Sequence, residues 1–126
     1  STGALFLVLE YLSGGDLHRE IRRRAKSQSP FPEEEIWAIF YQVCRAISYL
    51  HSKGVVHRDI KALNVMICGG SSSEPKKTVK IVDLGVSREC SQETMMLHTC
   101  YGTPLYASPE LCQNRPYTEK TDIWSL

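Results

Sequence analysis

The sequence of 126 residues predicts a chain of the α+β class, because one long amphipathic helix stands beside several short β-branched runs. From residue 36 to residue 50, apolar side chains recur at steps of three and four, the period of a helix with one buried face. Pro32 and the glutamates at 33–35 favour the start of this helix, and Gly54 favours its end. Short strands are predicted at 55–56, 65–67 and 79–82.

The first quarter of the chain predicts a strand, a turn and a short helix. The apolar run 5–9 has the length and composition of a buried strand. Asp16 follows a glycine-rich turn and is a typical N-cap for a helix over 17–26. At the other end, Asp122 is predicted to cap a further helix, so we interpret the chain as a piece of a longer protein.

The composition limits the class of function. A formal net charge of +1 disfavours a dedicated nucleic-acid binder, and the basic block 19–26 is interpreted as a solvated helix face. No apolar run reaches the roughly 18 residues that a membrane span needs. Five cysteines without a C-x-x-C pair favour separate reduced thiols over a metal site or disulfides. We therefore expect a cytoplasmic protein without nucleic-acid or membrane partners; no feature indicates an oligomeric state.

Three motifs carry the chemistry. The stretch His-Arg-Asp-Ile-Lys-Ala-Leu-Asn at 57–64 matches the catalytic loop of protein kinases, and it follows a predicted strand. Asp-Leu-Gly at 83–85 follows another strand, and Gly-Thr-Pro-Leu-Tyr-Ala-Ser-Pro-Glu occupies 102–110. In this order the three motifs resemble the eukaryotic protein kinase family. Within it the chain is most similar to the NIMA-related serine/threonine kinases, on the segments 10–11, 14–17, 32–34, 99–104 and 109–117.

The resemblance implies the two-lobe kinase fold, of which this chain is one incomplete domain. Residues 1–12 would form the last strand of the N-lobe and the hinge. Residues 13–126 would form the first part of the mainly helical C-lobe, with the catalytic loop at 57–64 and the activation segment at 83–110.

Phosphoryl transfer needs a carboxylate that orients the acceptor hydroxyl and cations that hold the phosphate. By resemblance Asp59 accepts the hydroxyl proton and Lys61 reaches the terminal phosphate. Asn64 and Asp83 supply hard oxygen ligands, which suit Mg²⁺. Taken singly, Asp59, Asn64 and the 83–85 segment also fit ordinary turns; together, in this order and spacing, they favour catalysis.

The resemblance places ATP against the segment after the first strand. The gatekeeper would be Leu9, and the Glu10 carbonyl and the Leu12 amide would bond the adenine edge. Asp16 would bond the ribose, and Met66 would form the apolar floor under the ring. For Leu9 and Met66 plain core packing is an equally good interpretation.

The acceptor site and its regulation are also implied by the resemblance. Lys61 and the Gly102-Thr103 segment favour a serine or threonine acceptor over tyrosine. Arg58 would bind a phosphate carried by Thr99, which would order the activation segment. An unmodified surface threonine is the alternative for Thr99. His57 is expected to be a satisfied buried histidine rather than an acid or base.

The function predicted from these residues is that of a serine/threonine protein kinase, which uses ATP and Mg²⁺ to phosphorylate protein substrates. A Gly-rich loop and a strand lysine do not precede the apolar run 5–9, so the chain alone is expected to be inactive. The alternatives are a truncated or pseudokinase-like binding module, and a small-molecule kinase, whose pattern does not require Lys61 or 103–110. The family also suggests association with the cytoskeleton.

Overall fold

The computed structural model describes residues 3–4, 6–69, 77–84, 88–89 and 104–126, with the backbone alone for 88–89 and 104. In chain order the elements are α1 (Leu17–Lys26), α2 (Glu33–Ser52), β1 (Val55–Val56), a 3₁₀ turn (Ala62–Asn64), β2 (Val65–Ile67), β3 (Val79–Ile81), β4 (Arg88–Glu89), a second 3₁₀ turn (Pro104–Tyr106), α3 (Pro109–Cys112) and α4 (Lys120–Ser125). This mixture confirms the predicted α+β class. Within these ranges no helix is both long and apolar enough to cross a membrane.

The helix α1 begins where its sequence predicts. The Asp16 carboxylate accepts a hydrogen bond from the Arg19 backbone N–H at 2.7 Å, which satisfies one of the free donors of the first turn. Glu20 lies in the first turn, and basic side chains fill the last one, so both ends complement the helix dipole. The predicted cap and both bounds of α1 are confirmed.

The long helix α2 is confirmed as well, although its buried face is narrower than the apolar stripe. Ile39, Val43 and Ile47 are buried, whereas Ile36 and Phe40 are 52% and 41% exposed. The helix has no side-chain cap; three glutamates in its first turn face the positive end of the helix dipole instead. It ends before Gly54, which has a φ of 70° that suits glycine.

Two small antiparallel sheets lie against α2. In one, β1 pairs with β4; in the other, β2 pairs with β3, with Met66 opposite Lys80. The Gln42 side chain joins α2 to the second sheet, because its Oε1 accepts from the Val79 N–H at 3.0 Å and its Nε2 donates to the Lys77 carbonyl at 2.9 Å. The core between helix and sheet consists of Ile39, Val43, Ile47, Ile60, Val65, Ile67 and Val79.

The predicted N-terminal strand is wrong. Residues 6–12 have no regular secondary structure, and Val8 and Leu9 are 96% and 76% exposed. A strand needs a neighbour for its backbone N–H and C=O groups, and no described segment pairs with this one. One side chain still ties it to the domain, since the Glu10 carboxylate accepts from Lys80 Nζ at 2.5 Å.

The segment 83–110, whose sequence shows no sustained periodicity of a helix or strand, contains short elements. They are β4, the second 3₁₀ turn and the beginning of α3. β4 is held by backbone pairing to β1, in the register Val56 opposite Arg88. Backbone pairing of two residues leaves no periodicity in the sequence, which is why the pattern missed it.

Candidate active site

The carboxylate of Asp59 lies between a cation and an amide. Lys61 Nζ is 2.8 Å from Asp59 Oδ2, and the Asn64 side-chain Nδ2 donates to the same oxygen at 3.0 Å. The same amide donates to the Asp59 carbonyl at 2.8 Å, which fixes the loop around its own side chain. The side chains of Asp59 and Lys61 keep 12% and 16% of their surface exposed, so both reach solvent at a partly buried site.

The His57 side chain links this loop to the segment after β3. It is wholly buried, its Nδ1 accepts from the Asp59 N–H at 3.3 Å, and its Nε2 lies 3.2 Å from the Val82 carbonyl. Because a carbonyl only accepts and the Asp59 N–H only donates, the ring is held as the neutral tautomer with its proton on Nε2. His57 is therefore the satisfied buried histidine that the sequence predicted.

Asp122 is the residue that sequence reasoning assigned wrongly. It was expected to cap the last helix, but α4 begins at Lys120 and Asp122 lies inside it, wholly buried. Its Oδ1 accepts from the Arg58 N–H at 2.8 Å, and its Oδ2 accepts from the His57 N–H at 2.9 Å and lies 2.8 Å from His51 Nε2. These donors, rather than the first turn of α4, satisfy the carboxylate. The helix α4 thus holds the backbone of the 57–64 loop.

Arg58 is only 7% exposed and has a φ of 68°, an uncommon value for a residue with a Cβ. Its Nη1 donates to the Tyr117 hydroxyl at 2.9 Å, and its Nε has no hydrogen-bond partner among the described residues. The hydrogen bond from its backbone N–H to Asp122 holds the residue in this conformation. The guanidinium is thus buried beside a neutral partner.

Asp83 and Asn64 are brought together through the backbone. The Val82 N–H donates to the Asn64 carbonyl at 2.9 Å, so Asp83 follows directly after a bond to the 57–64 loop. Asp83 is exposed, with a φ of 67°. A carboxylate and an amide oxygen are the donor chemistry that fits Mg²⁺, which usually takes one or two protein ligands and completes its shell with phosphate and water. The residues present therefore fit the metal.

A second group of predicted residues shares one face of the β2–β3 sheet. Val65 and Ile67 are buried in the core, so Met66 between them points to the opposite face together with its cross-strand partner Lys80. Asp16 bridges to Met66 through the backbone. The bond from Lys80 to the Glu10 carboxylate raises the pKa of Lys80 and brings Glu10 to this face.

Gly14 permits the close approach of this turn to the sheet. Its N–H donates to the Ile67 carbonyl at 3.1 Å, and an added Cβ would lie 2.5 Å from that oxygen. Leu12, just before the turn, is partly buried, while Leu9 is largely exposed. Of the remaining predicted site residues, Thr99, Gly102 and Thr103 lie outside the described residues.

Comparison with known proteins agrees with this geometry. The family model for the protein kinase domain matches residues 1–126. The chain is 41% identical over 124 residues to serine/threonine-protein kinase Nek5 of Homo sapiens, a match that covers 98% of this chain and 16% of that protein. It is 38% identical to serine/threonine-protein kinase Nek1 of Mus musculus, covering 98% of this chain and 10% of the relative.

A third relative, serine/threonine-protein kinase nekl-2 of Caenorhabditis elegans, is 38% identical over 97% of this chain and 34% of its own length. The chain thus spans between about a tenth and a third of these curated relatives. The likeness to the NIMA-related kinases, first indicated by the motifs, is confirmed. Since the family match runs from the first residue to the last and includes the loop that Asp122 anchors, the chain belongs to the protein kinase domain family.

Proposed function

We propose that this chain is the central part of a serine/threonine protein kinase, which transfers the γ-phosphate of ATP to hydroxyl groups of protein substrates. The observation that carries the proposal is the placement of the Asp59 carboxylate, 2.8 Å from Lys61 Nζ and 3.0 Å from the Asn64 amide. Catalysis of this transfer depends mainly on positioning and on stabilising charge, and this loop is fixed by buried hydrogen bonds on both sides.

In the proposed reaction Asp59 orients the acceptor hydroxyl and takes its proton. The hydroxyl oxygen forms a bond to the γ-phosphorus while the bond from that phosphorus to the bridging oxygen breaks, and ADP leaves with the electron pair. Lys61 offsets the charge of the carboxylate and faces the incoming phosphate. Asn64 keeps the carboxylate in one orientation by donating to its Oδ2.

Asn64 and Asp83 are the residues that would hold Mg²⁺, and the metal would offset the charge of the phosphates. The face that carries Met66 would receive the nucleotide. There Leu9 would be the gatekeeper, the Glu10 carbonyl and the Leu12 amide would bond adenine, and Asp16 would bond the ribose. The backbone bridge between Asp16 and Met66 and the Glu10–Lys80 bond support this arrangement for Asp16 and Glu10, because they bring these two residues next to Met66 and its cross-strand partner.

The test of the proposal is the substitution Asp59→Asn in the natural full-length protein. The amide keeps the size of the side chain but cannot take a proton, so the rate of phosphate transfer from ATP to protein substrates should fall about 10²- to 10⁴-fold. Incorporation of labelled γ-phosphate measures this rate. As a control, Glu34→Gln removes one exposed acid on α2 and should leave the rate unchanged. Full activity of the Asp59→Asn protein would exclude the assigned mechanism.

Regulation by phosphorylation of Thr99 is part of the same proposal. Its support is Arg58, whose Nε has no partner among the described residues and whose Nη1 meets only a neutral hydroxyl. A phosphate would form charge-assisted bonds to such a guanidinium. Thr99→Ala should therefore lower activity severalfold and abolish activation by pre-incubation with ATP. An active wild-type protein whose Thr99 is unmodified by mass spectrometry would contradict this role.

The proposal also covers location and acceptor. We place the protein in the cytoplasm, in line with the free thiols of Cys44, Cys68 and Cys112 among the described residues, and assign it serine and threonine acceptors through Lys61 and the Gly102-Thr103 segment. Association with the cytoskeleton is proposed on the family resemblance. Cell fractionation and phosphoamino-acid analysis of labelled substrate test these assignments.

A further inference from the structure

One side of α1 carries an excess of positive charge, which we call the basic face. It consists of the exposed side chains Arg19, Arg22, Arg23 and Lys26, spaced by three, one and three residues and so stacked along one side of the helix. Arg23 is bonded to Glu20 at 2.7 Å. The other three form no ion pair with any described residue. The whole chain has a formal charge of only +1, so this excess is local.

The basic face lies beside the catalytic loop. Together with Asp16, His18 and Leu63 it lines a depression. Leu63 is 50% exposed and directly precedes Asn64, whose amide donates to the Asp59 carboxylate at 3.0 Å. A polypeptide that brings a hydroxyl to Asp59 would therefore have neighbouring residues within reach of this depression.

The inward side of α1 is different, because its charges are compensated. Arg24 bonds both Glu20 and Glu35, at 2.9 and 2.8 Å, and Lys77 bonds the same two acids. Like charges three and four residues apart on a helix repel each other. Acidic groups from a partner would relieve that repulsion on the outward side of α1. On the inward side both cations, Arg24 and Lys77, are already paired with acids of this chain.

We propose that the basic face binds acidic side chains of the protein substrates, next to an apolar contact at Leu63. The inference rests on the proposed kinase function. An acidic peptide fits better than a nucleic acid, because the described lining of the depression contains no phenylalanine, tyrosine or tryptophan side chain on which bases would stack. The one carboxylate in the lining, Asp16, is engaged by the Arg19 N–H at 2.7 Å, which offsets part of its charge.

The experiment measures kcat/KM of the natural full-length protein on three threonine peptides, with aspartates before the acceptor, with aspartates after it, and with alanines in both places. One of the two acidic peptides should be preferred over the neutral one by about tenfold, and high salt should reduce this ratio. In Arg19→Glu/Arg22→Glu the ratio should fall to about one. Arg45→Glu, which reverses an exposed arginine on α2, is the matched control and should keep it.

The outcomes separate the two proposals. If the wild-type protein phosphorylates neither the three peptides nor a protein acceptor, the kinase function fails. If it phosphorylates all three equally, or if Arg19→Glu/Arg22→Glu keeps the preference, the function stands and the docking surface is overturned. Binding of a 20-nucleotide single strand that is lost in Arg19→Glu/Arg22→Glu, without discrimination among the peptides, would assign the face to nucleic acid instead.

Discussion

Two polar clusters stabilise this chain, and they are built in opposite ways. In the Asp122 cluster, one wholly buried carboxylate accepts hydrogen bonds from two backbone N–H groups of the 57–64 loop and contacts His51. In the Glu20 cluster, four charged side chains form a ring of ion pairs at the edge of the domain, and each is 12–29% exposed. The four are Glu20, Arg24, Glu35 and Lys77.

The difference lies in redundancy. Within the Glu20 cluster each member pairs with two others, so the loss of one leaves every remaining charge of the cluster paired and close to solvent. The Asp122 cluster has one acceptor for several donors, and its surroundings exclude water. A buried donor without a partner costs far more than a surface pair contributes. The single carboxylate should therefore govern both stability and the geometry around Asp59.

The largest effect is expected for Asp122→Ala. It leaves the N–H groups of His57 and Arg58 buried without acceptors, and we expect the free energy of unfolding to fall by about 3–5 kcal/mol. Urea denaturation of the full-length protein measures this change. Asp122→Asn, which keeps one oxygen acceptor, should lie between Asp122→Ala and the wild type in stability.

The matched control for this test is Glu119→Gln on the segment that leads into α4. Glu119 is partly exposed, and its side chain forms no hydrogen bond or ion pair with the described residues. Its substitution should change the free energy of unfolding by less than about 0.5 kcal/mol. If Asp122→Ala lowers the free energy of unfolding no more than this control does, the 57–64 loop is held by other contacts and the comparison fails.

A smaller effect with a distinct pH dependence is expected for Glu20→Gln. The hydrogen bonds from Arg23, Lys77 and Arg24 hold the pKa of Glu20 well below its ordinary 4.5, although burial opposes the shift. A lowered carboxyl pKa stabilises the fold above the unfolded value, and this contribution is lost as the pH falls below it. Glu20→Gln should therefore cost about 1–2 kcal/mol at pH 7 and less at pH 3.5.

The measurement for Glu20 is the free energy of unfolding of both proteins at pH 7 and pH 3.5. Glu34→Gln provides the reference, because Glu34 is exposed and lies outside the cluster. The free energies of unfolding of wild type and Glu20→Gln should become more similar as the pH falls. If their difference stays constant or grows instead, the charge of Glu20 is not what stabilises the cluster.

The sequence predicted the elements whose signals are local. The cap at Asp16, the start of α2 after Pro32 and the 57–64 motif all depend on residues within one or two turns of each other. Asp122 was misassigned because its partners lie 64–71 residues away, where no spacing rule applies. A charge among apolar residues at the start of a helix fits a cap and a buried anchor equally well. The 5–9 strand failed for the same reason, since its pairing partner is not a local property.

The smallest effect should come from the aromatic ring beneath the Glu20 cluster. The centroid of the Phe31 ring lies 4.0 Å from the Arg24 guanidinium carbon and 5.6 Å from Lys77 Nζ. Phe31→Leu keeps most of the apolar volume but removes the π face, so it should cost about 0.5–1 kcal/mol. In Glu20→Gln, Arg24 and Lys77 keep Glu35 as their one acidic partner within the cluster, so the ring should contribute more to the free energy of unfolding. A double-mutant cycle by urea denaturation should therefore give a coupling between residues 20 and 31, and strict additivity would mean that the ring only fills space.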